Sequence, residues 1–135
     1  MAGYSGTPLW RKLGYKNGLS VFLDQPPPHY RELLALPAEL AVAWQPRFRE
    51  GLAFVHVFVK SSAELSRKLC IYRESMAHDG VLWISWPKKS SGVATDVTED
   101  RIREFALPIG LVDTKVCAVD EIWSGLKLVI RKEQR

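Results

Sequence analysis

Cysteine is scarce in this chain. Cys70 and Cys117 are the only two. They lack CxxC spacing and the density of a disulfide-stapled secreted fold, and both lie in apolar segments, so buried free thiols are expected. The three histidines, His29, His56 and His78, are dispersed and give no metal-ligand spacing, so no metal site is expected. Long apolar runs are missing too. The longest, 52–59, is interrupted by His56 and falls far short of the ~20 residues that span a bilayer. The first residues, MAGYSGTPLWRKLGYKNG, contain no apolar stretch of the secretory kind, which makes a cytoplasmic location the expectation. Charge of one sign is never concentrated. The net charge is +4, carried by singles and by pairs such as Arg11-Lys12, Arg67-Lys68, Lys88-Lys89 and Arg131-Lys132. That pattern suits a solvated surface and argues against a nucleic-acid partner. Neither the GxxxxGK[ST] phosphate loop nor the G-x-S-x-G nucleophile turn occurs.

What is present is ordinary globular composition, 47% apolar and 25% charged, over a length that suits one domain spanning 1–135. Thr7 and Pro8 read as the cap and first turn of a short helix carrying Leu9, Trp10 and Leu13. An apolar strand over Leu19–Asp24 stops at Gln25 and three consecutive prolines, Pro26 to Pro28. A short helix over His29–Leu36 and a strand over Leu40–Trp44 follow. Leu52–Val59 is apolar on both alternating faces, as in a strand covered on both sides. Ser61 and Glu64 have capping-box spacing ahead of a helix whose stripe is Leu65, Leu69, Tyr72 and Met76, with His78-Asp79-Gly80 closing it. A strand over Val81–Trp86 comes next. Asp96 with Glu99, or Thr98 alone, caps a last helix with Ile102, Phe105, Ala106 and Ile109 inward. Strands near Lys115–Val119 and Leu126–Arg131, joined by a turn at Asp120–Gly125, form an antiparallel hairpin.

This order predicts an α/β, mostly parallel sheet of about six strands with helices on both faces. One connection is tight. The seven residues Gln45–Gly51 reach roughly 23–25 Å at full extension, against ~17–20 Å for a strand of ordinary length. Leu40–Trp44 is therefore either a parallel strand with a nearly straight return or an antiparallel edge.

The stretch Gly80–Asp96, GVLWISWPKKSSGVATD, is the first place to look for a site. It reads as a strand, a polar loop with two lysines, and a helix start. Ligands of open α/β sheets sit at the carboxyl ends of strands, and helix N-termini favour anions. Trp86, Lys88, Lys89, Ser90, Ser91, Gly92, Thr95 and Asp96 are the candidate ligand-binding residues. A solvated loop with a proline stop is the competing reading, and for Trp83 and Trp86, which face opposite sides of one strand, core packing is the better reading. His56 reads as a hydrogen-bonded core histidine rather than a general base. Lys115 is expected in a surface ion pair with Asp113 or Asp120.

From Leu52 onward the order of strand, helix, strand, helix and terminal hairpin resembles the class I S-adenosylmethionine-dependent methyltransferase fold. The resemblance implies a Rossmann-like doubly wound sheet with the hairpin at one edge. It also implies a glycine-rich turn after the first strand and an acidic residue at the end of the second, for the cofactor. Here those positions read Asp24-Gln25-Pro26-Pro27-Pro28 and Trp44-Gln45-Pro46. Three rings without N–H donors are expected to close the cofactor pocket, so no cofactor is expected. Relative to that fold the chain is also short by a helix and a strand between Trp44 and Leu52. Through TPLWRKLG, WPKKSSGVATDVTED and GLVDTKVCAVDEIWSGLKLVIRKE, the whole chain resembles a family of small bacterial proteins known only as a domain of unknown function. That resemblance implies no catalytic residue.

The expected function is a non-catalytic domain binding an anionic small molecule or a protein partner at the loop after Val81–Trp86. The rivals are a divergent S-adenosylmethionine-dependent enzyme and a weak nucleic-acid binder. A homodimer through the terminal hairpin is a further expectation.

Overall fold

The computed structural model describes residues 6–135. In chain order the elements are α1 (Leu9–Leu13), β1 (Leu19–Asp24), α2 (Tyr30–Leu34), β2 (Val42–Trp44), β3 (Leu52–Phe58), α3 (Ser62–Ser75), β4 (Met76–Pro87), α4 (Glu99–Ala106), β5 (Leu111–Ala118) and β6 (Trp123–Ile130). The six strands form one sheet in the order β2-β1-β3-β4-β6-β5. β2, β1, β3 and β4 pair in parallel, and β6 runs antiparallel to both β4 and β5.

Strand alternation sends side chains to two cores. On one face Val55, Val57, Leu82, Ile84 and Trp86 meet Leu65, Leu69 and Tyr72 of α3 and Ile102 and Ala106 of α4. On the other, Phe54, Phe58 and Trp83 meet Leu9 and Leu13 of α1 and Tyr30 and Leu34 of α2. The sheet is α/β and Rossmann-like, covered on both faces. That explains why β3 is apolar at nearly every position. Trp83 and Trp86 fall on opposite faces, as their spacing requires.

β2 is parallel, and the tight return is resolved by its length. Trp44 is level with Val21 of β1, three residues short of the strand's end at Asp24. The chain therefore has little height to lose before it re-enters at Leu52. The link crosses β1 with Phe48 laid over it, 6.3 Å from Phe22 and 5.7 Å from Tyr72 between ring centres.

Several local expectations are corrected. Pro8, not Thr7, stands at the cap of α1, and no side chain caps it. The Ser61 hydroxyl does cap α3, accepting from the Glu64 amide at 3.2 Å, but Glu64 reaches back to the Lys60 amide rather than to Ser61. His78-Asp79-Gly80 do not close that helix. They belong to β4, which begins at Met76 with a register shift against β3. α4 is capped by Thr98, which accepts from the Arg101 amide at 3.1 Å. Cys70 is exposed and Cys117 half-buried, so neither is a core thiol. Cys70 follows Leu69 directly and so lies about 100° round the helix from the apolar stripe. No helix among the described residues is long and apolar enough to cross a membrane.

Candidate functional site

Strand order reverses between β1 and β3, since the chain leaves β1 toward β2 and then returns to the other side. Open α/β sheets place their ligand crevice at the carboxyl ends of such a pair. An open cleft of about 480 Å³ lies there, lined by Gln25, Pro26, Pro27, Pro28, His29, Phe58, Lys60, Glu64, Ile122 and Trp123. The prolines line this crevice rather than fill it, so the expected closure does not occur.

Each wall has a cause. After β1 the backbone turns sharply at Gln25, whose φ of 58° lies in the left-handed region that glycine adopts freely. The three prolines then carry the chain rigidly into α2. The floor is Phe58, at the end of β3. Its ring stacks on His56 at 4.4 Å and takes Trp123 edge-on at 5.0 Å. Trp123 and Ile122 are placed by Asp120, whose Oδ1 accepts both of their amides, at 2.7 and 2.8 Å. This is a local carboxylate-to-backbone turn. His29 Nε2 reaches 3.4 Å to Asp120 Oδ2, linking the proline wall to the hairpin wall.

Beneath the floor runs a sealed polar chain. Tyr15 Oη lies 2.7 Å from Tyr30 Oη, Tyr30 Oη 2.8 Å from His56 Nδ1, and His56 Nε2 2.7 Å from Ser85 Oγ. Burial pushes the His56 imidazolium down to about 3, and burial holds both tyrosine hydroxyls above their ordinary range. His56 is thus neutral at pH 7, one ring nitrogen donating and the other accepting. It and Ser85 are fully buried. The chain ties Tyr15, just after α1, and Tyr30 of α2 to His56 of β3 and Ser85 of β4. This is the hydrogen-bonded core histidine expected from the sequence.

At the end of β1, Asp24 is fully engaged. Its Oδ1 accepts from Lys68 Nζ at 2.7 Å and its Oδ2 from the Tyr72 hydroxyl at 2.6 Å. Burial, then the bond to Asp24, raises the Tyr72 hydroxyl above its usual value.

The loop singled out from the sequence stands behind the hairpin wall. Trp86 is 8% exposed and packs in the α3–α4 core. Lys88 braces the turn: its amide donates to the Ile122 carbonyl and its ammonium to the Asp120 carbonyl, both at 2.7 Å. Lys89 and Ser90 are exposed on a short 3-10 turn that Gly92 closes at a φ of 75°. Ser91 donates to the Lys88 carbonyl at 2.6 Å. Thr95 donates to the Lys60 carbonyl at 2.6 Å, and Asp96 accepts the Ser62 amide at 2.7 Å. The Asp96 carboxylate thus occupies the N-terminus of α3, where an exogenous anion would otherwise sit. Phe58, Ile122 and Trp123 were not among the sequence candidates. The turn signal at Asp120 was visible, but not what it faces. Among the described residues no group of His, Cys, Asp and Glu is disposed to hold a metal.

Comparison with curated proteins finds no match in sequence. Solved structures of similar fold are methyltransferase-like. A putative type 11 methyltransferase from Sulfolobus solfataricus has a TM-score of 0.62 at 13% identity, with 92% of this chain and 90% of that one aligned. LepI in complex with SAH and a substrate analogue gives 0.55 at 14% identity, over 93% of this chain, which spans only 47% of LepI. Aeropyrum pernix fibrillarin with natively bound S-adenosyl-L-methionine gives 0.52 at 14% identity, over 94% of this chain and 70% of that one. At such identities the likeness is one of fold. The model of the DUF3052 family, described as a protein of unknown function, matches residues 53–132, more than half of the sequence, and the chain belongs to that family.

Proposed function

We propose that this chain is a non-catalytic binding domain on a methyltransferase-like scaffold. Its cleft between the β1–α2 loop and the β5–β6 turn takes a small, flat ligand with an anionic group. The observation that carries this is the make-up of the cleft at the switch point. Pro26, Pro27, Pro28, Phe58 and Trp123 present rings, and the exposed Lys60 supplies a cation at the rim. A planar apolar body stacks on such walls, and a carboxylate or phosphate pairs with the ammonium. The loop after β4 contributes by holding the Ile122–Trp123 wall through Lys88.

The residues do not fit S-adenosylmethionine as this fold ordinarily holds it. Three prolines replace backbone donors. β2 stops at Trp44, level with Val21 and below the cleft, where a ribose-binding carboxylate would be needed. Arg31 stacks on that tryptophan at 4.2 Å. Asp24 is already committed to Lys68 and Tyr72.

The second reading is a divergent S-adenosylmethionine-dependent enzyme. It is favoured by the open cleft and by the S-adenosyl-L-methionine bound to fibrillarin, whose fold is similar. Calorimetry with S-adenosylmethionine and amide-shift mapping with a set of aromatic carboxylates separate the two. Binding of the carboxylates with shifts at Gln25, His29, Lys60 and Trp123 supports the proposal. Micromolar cofactor binding at the same amides overturns it.

A further inference from the structure

A second concavity lies on the α1 side of the hairpin, apart from the cleft. It is an open surface hollow of about 500 Å³ lined by Thr7, Arg11, Lys12, Lys115, Val116, Cys117 and Ala118. Its lining holds three cations and, among the described residues, no carboxylate. The carboxylates that pair with cations elsewhere, Glu99, Asp100 and Asp113 around Arg103 and Asp24 and Glu64 around Lys68, belong to the α3–α4 side.

The placement of Lys115 is specific. The register of β5 against β6 jumps between Asp113 and Lys115, which face Leu128 and Lys127 in turn. The extra residue, Thr114, makes a bulge, and bulges re-aim the side chains that follow. Asp113 goes to Arg103 on α4, at 3.0 Å, and Lys115 goes to α1. The expected pairing of Lys115 with Asp113 or Asp120 is therefore not formed. Its ammonium donates instead to the Lys12 carbonyl at 2.7 Å, which fixes it at the wall and leaves two further N–H donors. Arg11 is exposed, with its guanidinium 5.1 Å from the centre of the Trp10 ring. Burial holds the Cys117 thiol up, so it adds no negative charge.

We infer that this concavity is a second ligand site, which takes the phosphate or diphosphate group of a small molecule. Phosphate oxygens accept from guanidinium and ammonium donors together, and an open hollow suits a charged group that stays partly hydrated. A nucleic-acid backbone is the poorer fit, because it asks for an extended basic stripe. Here the cations converge on one hollow, and the adjoining groove mixes Lys16 and Lys127 with Asp79.

The test is titration of the full chain with sodium pyrophosphate, followed by calorimetry and amide shifts. The proposal expects submillimolar binding with shifts at Arg11 and Val116–Ala118. It also expects that Arg11→Gln, an exposed change that spares the fold, weakens binding by about tenfold and Arg11→Glu by more. Lys115→Gln should act in the same direction while keeping the native spectrum. No binding at millimolar pyrophosphate, or binding that ignores Arg11→Glu, overturns the proposal. So does a single-stranded oligonucleotide that binds more tightly than pyrophosphate through the same residues.

Discussion

The Tyr30 hydroxyl stands 2.8 Å from Nδ1 of His56, and both groups are closed off from solvent. The pairing ties α2 to the central strand beneath the floor of the cleft. It also fixes how the protein responds to acid. Burial lowers the His56 value from 6.5 to about 3, so between those values the unfolded chain binds a proton that the folded one refuses. Stability from this residue is complete above the unfolded value and is lost as pH falls, by up to ~1.4 kcal/mol per unit until the folded value is reached. Urea midpoints measured from pH 4 to 8 will show this as a slope. His56→Gln, which can still meet both hydroxyls, should flatten it relative to the parent.

Removing the hydroxyl from the middle of the chain is a separate experiment. Tyr30→Phe keeps the ring packed against Phe58 and leaves Tyr15 and His56 each short of a partner. Two buried polar groups without bonds should cost about 3 kcal/mol, read as a lower urea midpoint at constant slope. A change within a few tenths would mean that the chain is not closed in solution.

Most of the architecture is legible in the sequence. β3 reads as buried because it is apolar at positions of both parities, and Ser61 and Thr98 mark helix starts by chemistry that acts within three residues. The cleft was not legible. Pro26 and Trp123 lie far apart in the sequence, and nothing local says that they face each other. Asp96 looked like a cap for the helix that follows it, yet it bonds Ser62, which precedes it by 34 residues. The course of Lys115 depends on a bulge, and one extra residue in a strand leaves no pattern when the neighbours Thr114 and Val116 are both exposed.

Asp24 joins β1 to α3 through a pair of which the lysine is nearly sealed. The Lys68 side chain is 7% exposed, and Glu64 lies farther from it, at 3.4 Å, than Asp24 does. Asp24→Asn removes the nearer carboxylate and leaves the ammonium with the more distant one. A loss of about 3 kcal/mol is expected, larger than for any surface pair in the chain. Lys68→Met alongside Asp24→Leu should recover much of it, because the desolvated charge disappears with its partner. A double variant no better than Asp24→Asn would contradict this account.

Asp120 governs the hairpin wall. Asp120→Ala removes the acceptor for the Ile122 and Trp123 amides and the contact with His29. The turn should lose about 1–2 kcal/mol, and amide exchange at Ile122 and Trp123 should accelerate while β3 remains protected. Asp120→Asn keeps the Asx turn and should restore both. If aromatic carboxylates occupy the cleft, Asp120→Ala will weaken them and Asp120→Asn will not.

Gln25 sets stability against binding at one position. Its φ of 58° costs a side chain energy that glycine avoids, and it sits where dinucleotide-binding folds place a glycine. Gln25→Gly should therefore raise the thermal midpoint, by an amount equivalent to about 1 kcal/mol less the entropy that glycine regains when unfolded. The side chain lines the cleft, so the same change should weaken any ligand that its amide contacts. A stabilised protein with reduced affinity would mark Gln25 as a residue kept for the ligand. If Gln25→Gly left affinity unchanged, the strain would belong to the turn alone, and the binding role would pass to Lys60 and Trp123.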